Sequence, residues 1–517
     1  MALKYIYNLG LSFYNIAEEF FSNTALRFPG SKEYSYTELN SFSNQLAHFL
    51  IECNIPKESV IAIFNNKSFF GYSLMLACLK TGIIYTNLDA TNPWQRISKI
   101  LDNCSPVAIF HEETSEEIIR NINKDYPAIT TYCISEKKLF DKISLLSNKN
   151  LESTNYIQGN HPAYIMFTSG STGFPKGAVM SHNNLLNFIN WGQQTFSVTA
   201  NDVFTNANPI YFDNSVFDFY TSLFSGATLV PLDSDIVKNP KSLIQAINNA
   251  KCTIWFSVPS LLVYLLTTKA LTKNDFQTVK KISFGGEGFA KARLKQLYNL
   301  FSSRITLYNV YGPTECTCIC SSYVINDTDF DNMTELAPLG NIATNFGYEI
   351  LPVEDIAIPN MGELALSGPC VGLGYYNDTE RTSRAFIQMP GKKYHARIYR
   401  TGDLVLKENN GYLYFKGRID NQVKHMGYRI ELEEIEAAFN SLPYITEVGV
   451  IYEKVSPELG QIRAFVCVND NRVTMETLQI AVKNILPIYM IPKNITILES
   501  LPKNRNGKID RKQLIAL

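Results

Sequence analysis

The stretch from Tyr164 to Gly177, YIMFTSGSTGFPKG, restricts the possible folds more than any other part of the chain. Tyr164-Ile165-Met166-Phe167 is an apolar run of strand length that passes directly into Thr168-Ser169-Gly170-Ser171-Thr172-Gly173, with Lys176 close behind. Glycines and short hydroxyl residues leave backbone N–H groups open to close approach, because no bulky side chain stands on Cβ. Such donors, with a lysine beside them, suit the anionic oxygens of a polyphosphate. The stretch is not a G-x-x-x-x-G-K-[ST] loop, since Lys176 follows Pro175 and no Ser or Thr comes next to hold a metal. Composition alone would also fit a polar surface loop; the order of residues favours phosphate.

At 517 residues the chain is too long for one ordinary core, so two or more domains are expected. Its 47 basic and 48 acidic residues leave a formal net charge of −1, so an anionic ligand must be met by local groups. Neither nucleic acid nor a membrane surface is an expected partner. Ten cysteines are too sparse for a disulfide scaffold, and the first residues lack a basic segment followed by an apolar signal core. A reducing cytoplasm is the expected location. No apolar run approaches the ~20 residues that span a bilayer. Cys316-Thr317-Cys318-Ile319-Cys320 would place three thiols on one face of a strand. Zinc sites favour C-x₂₋₄-C pairs with a second pair elsewhere, so no metal is expected there.

Strand-like and helix-like pieces alternate before the loop, which implies α/β layers around a largely parallel sheet. Ser12 to Phe28 has near-helical apolar spacing, Tyr36-Thr37-Glu38-Leu39 reads as a helix start, and Val60 to Phe64 as a buried strand. A helix is expected over Phe70 to Thr81, stopped by Gly82. The polar stretch from Lys137 to Gly159 reads as a surface connection, and Ser181 to Phe196 as a helix. His182 reads as structural, since no orienting partner is visible for it.

Tyr211-Phe212-Asp213-Asn214-Ser215-Val216-Phe217-Asp218 sets an acid among aromatic residues. A buried Asp213 would need a cationic partner; an exposed one would suit a helix N-cap. Two further strands, Thr253 to Ser257 and Lys281 to Phe284, end in Pro259-Ser260 and in Gly285-Gly286-Glu287. Ligands of open α/β sheets collect at such carboxyl ends. In Asn309-Val310-Tyr311-Gly312-Pro313-Thr314-Glu315, the tyrosine offers a flat face, the threonine a hydroxyl, and the glutamate a hard oxygen suited to Mg²⁺. Arg400-Thr401-Gly402-Asp403-Leu404 supplies a carboxylate able to accept from two ribose hydroxyls. The last hundred or so residues, from His425 to Leu517, have the length of a small α+β domain.

Taken together, the phosphate loop, F-D-x-S at 212–215, N-x-Y-G-P-T-E at 309–315, T-G-D at 401–403, G-R-I-D at 417–420 and N-G-K-I-D-R at 506–511 resemble the adenylate-forming (ANL) superfamily. That family includes acyl-CoA synthetases, luciferases and the amino-acid adenylation domains of nonribosomal peptide synthesis, and the chain is most similar to the last branch. The resemblance implies a large N-terminal multi-subdomain α/β domain over residues 1–419. A small C-terminal α+β domain over 420–517 would be joined to it by a hinge at Asp420. By the same resemblance Thr168, Ser169, Gly170, Ser171, Thr172, Gly173 and Lys176 hold the ATP phosphates. Gly286, Glu287, Asn309, Tyr311, Gly312 and Thr314 surround the rest of the nucleotide, with Asp403 and Arg418 on ribose. Glu315 would hold Mg²⁺, Lys508 would bridge the reacting carboxylate to the nucleotide, and Gly427 would meet the pantetheine arm of the acceptor. In the amino-acid-activating branch the F-D-x-S aspartate receives the substrate's α-ammonium, a role that falls on Asp213. The remaining pocket positions fall on Asn214, Phe217, Ser257, Ser283, Gly285, Val310, Cys318 and Ile319. Gly285 would leave depth, Phe217 and Ile319 give apolar walls, and Asn214 with Ser257 offer hydrogen bonds.

The implied function is ATP-dependent activation of an amino acid as aminoacyl-AMP, with release of pyrophosphate and transfer to the phosphopantetheine thiol of a carrier protein. Thr168, Glu315 and Lys508 are the expected catalytic residues. The protein is expected to act as a monomer. Its carrier would be supplied in trans or by a longer parent chain, since no D-x-F-F-x-x-G-G-x-S segment follows Arg511. A close alternative is a D-alanine–carrier protein ligase, which F-D-x-S-V and the E-L-E-E-I-E run at 431–436 also suit. An acyl- or aryl-CoA synthetase is disfavoured by Asp213. A noncatalytic nucleotide-binding scaffold with the same fold is disfavoured by the joint presence of Asp213, Glu315, Asp403 and Lys508.

Overall fold

The computed structural model describes residues 5–170, 172–354, 356–394, 396–455, 460–470, 472–503 and 509–517. Ser171 and Lys508, both expected at the nucleotide, lie outside the described residues. The chain forms two compact units. The first comprises Met1–Asp89, Ser105–Met166 and Gly177–Gly417; the second comprises Ala90–Cys104, Phe167–Lys176 and Arg418–Leu517.

The first unit is built on sheets flanked by helices. In a seven-stranded sheet, Val60–Phe64 and Ile84–Leu88 pair in parallel, with Ala108–His111 on the other side of Val60–Phe64 and Pro162–Thr168 beyond Ile84–Leu88. Both central strands are buried along their whole length, as parallel strands covered by helices on two faces must be. The helix Tyr36–Glu52 starts at Ser35, whose side chain forms a reciprocal capping box with Glu38. The helix Phe69–Thr81 ends where Gly82 takes φ +74°.

A nine-stranded sheet carries Val203–Asn206, Ile254–Ser257, Lys281–Gly285 and Thr306–Tyr311 as parallel neighbours, so their carboxyl ends gather on one side. A five-stranded antiparallel sheet contains Met361–Ser367 and Arg397–Lys407.

Two expectations are revised here. Ser12 to Phe28 is not one helix: it is the end of Leu9–Glu19 followed by the strand Thr24–Arg27. The connection from Lys137 to Gly159 contains a short helix, Lys137–Ser144, seated on buried Leu139 and Ile143.

In the second unit, a hairpin of Gln422–His425 and Tyr428–Glu431 leads into the helix Leu432–Asn440 and a three-stranded sheet. The hairpin turns through Met426 and Gly427, both at positive φ. That geometry matches the right-handed twist of the flanking strands. The core gathers Ile430, Ile435, Phe439, Val450 and Val466. No helix among the described residues is long and apolar enough to cross a membrane.

Candidate active site

Within the first unit, the expected amino-acid and nucleotide residues converge at the carboxyl ends of the nine-stranded sheet. Asp213 stands at the start of the short helix Asn214–Val216, yet its side chain makes no capping bond. Its Oδ2 instead accepts from Thr314 Oγ1 at 2.6 Å, joining the F-D-x-S and Y-G-P-T-E segments across a hundred residues of sequence. The next turn, Phe217–Thr221, is π-helical, a distortion that often marks functional sites. It brings Phe217 edge-on to Phe196 and Phe256, at ring separations of 5.0 and 5.4 Å. It also buries Asp218, whose Oδ2 accepts from Asn206 and Asn208 Nδ2, each at 3.0 Å.

Asp218 and its neighbour Lys67 are functional-looking groups that sequence reasoning missed. Lys67 Nζ is buried and donates to the carbonyls of Asn206 at 2.7 Å and Leu232 at 2.6 Å. Burial lowers the Lys67 ammonium to about 7, against the pull of Asp218 and Asp233. Burial likewise pushes the Asp218 carboxyl up to about 7, against the two asparagine donors and Lys67. The only sequence signal was a second acid in an aromatic run, and its cationic partner Lys67 lies far away in the chain.

Strand register sorts the pocket positions. Phe256 pairs with Ser283, which pairs with Tyr308, and Gly285 pairs with Val310, so these side chains share one face. Ser257 pairs with Phe284 and lies on the opposite face. Its hydroxyl accepts from Trp255 Nε1 at 2.7 Å and donates to the Val258 carbonyl at 3.1 Å. Ser257 thus stands on the face opposite to Phe256 and Ser283, with its hydroxyl engaged on both sides by its own strand. Ser283 shares a face with Phe256 and Tyr308, and its buried hydroxyl has no hydrogen-bond partner among the described residues.

At Gly285 an added Cβ would stand 2.4 Å from the Val310 carbonyl oxygen and 2.8 Å from Val310 Cγ2, so the neighbouring strand leaves no room for a side chain there. The Cys316–Cys320 stretch is not a strand either: Thr317 and Cys318 both adopt positive φ. Burial raises the Cys318 thiol pKa well above normal, and the Asp213 and Asp218 carboxylates add to it. Cys318 and Ile319 are both buried.

Several nucleotide candidates are held by bonds that fix the backbone. Tyr311 OH donates to Asp403 Oδ2 at 2.5 Å. The turn before Asp403 is clamped by buried Glu363, which accepts from Gly402 N at 3.0 Å and from Arg400 Nε at 2.9 Å. Asn309 Nδ2 donates to the Pro338 carbonyl at 2.8 Å. Glu287 accepts from Ser260 N at 2.7 Å, so its side chain anchors the start of the helix Pro259–Thr267. At Gly286, φ is +90°. Gly312 has no room for a side chain, since a Cβ would stand 2.2 Å from the Cys318 carbonyl oxygen. Glu315 is fully buried and accepts from Tyr375 OH at 2.7 Å.

The phosphate loop belongs to the second unit. Thr168 Oγ1 is buried without a hydrogen-bond partner among the described residues, as expected of a hydroxyl that a phosphate oxygen would satisfy. Ser169 Oγ donates to the Arg429 carbonyl at 2.7 Å, and Gly170 N to Glu434 Oε2 at 3.0 Å. Gly173 takes φ +77° and donates to the Gly170 carbonyl at 3.0 Å. Lys176 Nζ pairs with Glu431 Oε1 at 3.0 Å. Thr172 is exposed in the loop's turn. Arg418 grips Asp420 through two bonds of 2.6 Å. Burial pushes the Asp420 carboxyl up, but Arg418 more than offsets it and the net pKa is lowered.

Among the described residues, no cluster of three or more His, Cys, Asp or Glu forms a metal cage. Mg²⁺ at Glu315 fits all the same, because this ion commonly takes one or two carboxylates and completes its shell with phosphates and water.

The model of the AMP-binding enzyme family matches residues 13–376, and that of the AMP-binding enzyme C-terminal domain matches 434–508. The chain belongs to the AMP-binding enzyme family. It is an adenylate-forming, ATP-using ligase of the ANL superfamily. It is 34% identical over 492 residues to the D-alanine–D-alanyl carrier protein ligase of Listeria monocytogenes serotype 4b, covering 93% of each chain. The ligase of the same description from Lacticaseibacillus paracasei is 31% identical over 514 residues, covering 97% of each.

Among solved structures, the adenylation domain AlmE of Vibrio cholerae, in complex with glycyl-adenosine-5′-phosphate, superposes with a TM-score of 0.79. It is 25% identical, with coverage of 100% of this chain and 98% of that one. An artificially fused adenylation–PCP di-domain from Klebsiella oxytoca has a TM-score of 0.80 at 20% identity, covering 96% of this chain and 94% of that one. These likenesses establish the large and small domain types of the adenylation fold.

Proposed function

We propose that this protein activates a small amino acid, D-alanine first, as the aminoacyl adenylate and transfers it to the phosphopantetheine thiol of a carrier protein. The observation that carries this reading is the bond between Asp213 and Thr314. It joins a carboxylate suited to an α-ammonium to a hydroxyl that immediately precedes buried Glu315. D-alanine is favoured by the two carrier-protein ligases, similar over nearly their whole length. A small side chain also suits a pocket face occupied by Phe256 and Val310, with Phe217 packed on Phe256. Glycine is the second candidate, favoured by the glycyl adenylate bound to AlmE.

In the first half-reaction a carboxylate oxygen attacks the α-phosphorus of ATP and the bond to pyrophosphate breaks. Two anions must meet, so the protein's task is positional and electrostatic. Thr168, Ser169, Gly170, Ser171, Thr172, Gly173 and Lys176 would receive the β- and γ-phosphates. Lys508 would neutralise charge at the reacting oxygens. Mg²⁺, when bound at Glu315, would supply charge stabilisation on the phosphate oxygens. Gly286, the Glu287 backbone, Asn309, Tyr311 and Gly312 would border adenine, with Asp403 and Arg418 on ribose. In the second half-reaction the carrier thiol attacks the acyl carbon, AMP leaves, and the thiol proton is released. Gly427 would admit the pantetheine arm.

We place the domain boundary at 419/420, with Asp420 as the hinge. The protein would work as a monomer in the cytoplasm, where ten unpaired cysteines are at home.

ATP–pyrophosphate exchange with D-alanine, L-alanine, glycine and larger amino acids tests the reading. Exchange should be highest with D-alanine and fall on the order of 10²–10³-fold in Asp213→Asn, the cost of truncating a buried charge partner. Exchange led by glycine would replace the substrate but keep the chemistry. Amino-acid-independent activity, or an unaffected Asp213→Asn, would refute it.

A further inference from the structure

Asp213 and Phe217 are four residues apart and share one face of the segment that runs from Asn214–Val216 into the π-helical turn Phe217–Thr221. Asp218 comes directly after Phe217 and points away from that face, to the end of the strand Val203–Asn206. There Asn206 and Asn208 Nδ2 both donate to its Oδ2 at 3.0 Å. Each asparagine also holds a second group. Asn208 Nδ2 donates to the Phe256 carbonyl at 2.9 Å, and Asn206 Oδ1 accepts from Tyr72 OH at 2.6 Å. Lys67 Nζ donates to the carbonyls of Asn206, Ala207 and Leu232, at 2.7, 3.3 and 2.6 Å, which fixes the backbone that carries both asparagines. Lys67, Asn206, Asn208 and Asp218 are all buried.

A buried network of this kind is a poor source of stability, since apolar side chains of similar volume hold a core at least as well. What it supplies is register. A π turn takes in one more residue than an α turn, so the direction of Phe217 depends on where the turn is fastened. The fastening is Asp218: its Oδ2 ties the turn through Asn208 to the Phe256 carbonyl, and Phe217 meets the Phe256 ring at 5.4 Å. The same segment begins at Asp213, whose carboxylate bonds Thr314 at 2.6 Å. We propose that Asp218 is a positioning residue for amino-acid activation, acting through Asn206 and Asn208 to hold Asp213 and Phe217 in place, with Lys67 as the support of the two asparagines. The inference rests on the reading of Asp213 as the receiver of the substrate's α-ammonium. Asp218 itself does not touch the substrate. Its Oδ1 makes no bond within the described residues, as suits a carboxyl that carries its proton there while Oδ2 accepts twice. An asparagine would reproduce this arrangement, with its oxygen on the two amides; an apolar residue would not.

Steady-state ATP–pyrophosphate exchange on the full chain separates positioning from folding. Asp218→Val strands both asparagine amides and should raise the KM for the preferred amino acid about tenfold, while the KM for ATP stays within about twofold. Exchange with larger amino acids should rise relative to the preferred one, because Phe217 is released. Asp218→Asn should bring the amino-acid KM back to within about threefold of wild type. Trp255→Ala, one residue before Phe256 and on the opposite face of that strand, loses core packing without touching the network and should leave that KM within about twofold. If Asp218→Val does not fold, Asn208→Ala breaks the tie to Phe256 and should still raise the amino-acid KM several-fold. A loss confined to kcat, or an equal rise in the KM for ATP, would reduce Asp218 to a structural group and overturn the proposal. So would an Asp218→Asn variant as impaired as Asp218→Val, or an equal rise in Trp255→Ala. A wild-type chain that exchanges with no amino acid would defeat the amino-acid reading itself; wild-type exchange with variants of unchanged KM would defeat only this inference.

Discussion

The strands Ile254–Ser257, Lys281–Gly285 and Thr306–Tyr311 present two faces that handle polar atoms in opposite ways. One face carries Trp255, Ile282, Phe284 and Leu307 into a closed apolar cluster, and there the Trp255 indole N–H is satisfied by Ser257. The other face carries Phe256, Ser283 and Val310. Ser283 Oγ there is buried without a hydrogen-bond partner among the described residues, and so is Asp218 Oδ1 on the π-helical turn. Leaving a buried polar atom unmatched costs about 1–3 kcal/mol. We infer from this contrast that the second face is the one turned toward the amino acid.

The largest test of that contrast is a pair of adjacent truncations. Trp255→Ala should cost about 3–5 kcal/mol of stability and leave the ranking of amino acids in pyrophosphate exchange as it was. Phe256→Ala should cost a similar amount but admit larger amino acids relative to D-alanine. A Trp255→Ala variant with altered ranking would break the distinction between the faces.

A pH series probes the second unmatched atom. Asp218 has its carboxyl raised from 3.8 to about 7, chiefly by burial. Between those values the folded protein holds a proton that the unfolded chain has released. Its contribution is therefore full below pH 3.8 and is lost as pH climbs through about 7, at up to ~1.4 kcal/mol per pH unit. Lys67, lowered to about 7, is protonated in both states below that pH and adds no slope there. Urea unfolding from pH 4.5 to 7 should show wild type losing stability relative to Asp218→Asn as pH rises. Parallel curves would mean that the folded carboxyl is not protonated in this range.

The layered α/β fold was legible because its signals are local. Ser35 and Glu38 cap a helix within one turn, and Gly82 ends another. The motifs were legible for the same reason. Face assignment was not: alternation along the chain shows that Trp255 and Ser257 share a side, but only the neighbouring strands show that this side packs into an apolar cluster. Cys316 to Cys320 escaped because two consecutive positive φ values break the strand that their spacing imitates. Lys137–Ser144 escaped because two buried residues suffice for so short a helix in a polar stretch. Lys67 with Asp218, and Glu434 with Gly170, are partners more than a hundred residues apart, and no local pattern announces them.

The smallest effect separates two serines on neighbouring strands. Ser257→Ala strands the Trp255 indole N–H in the core and should cost about 1–3 kcal/mol, with substrate preference unchanged. Ser283→Ala removes a hydroxyl that makes no bond within the described structure, so stability should move by less than about 0.5 kcal/mol or improve slightly. The KM for the amino acid should nevertheless rise a few-fold, by about 0.5–1.5 kcal/mol, if the substrate or a water beside it uses that hydroxyl. Thermal unfolding and pyrophosphate exchange on the same two variants decide the matter. If Ser283→Ala lost stability without a change in KM, the open hydroxyl would be filled by buried water serving the fold, and the pocket would lie closer to Asp213 than the sheet face implies.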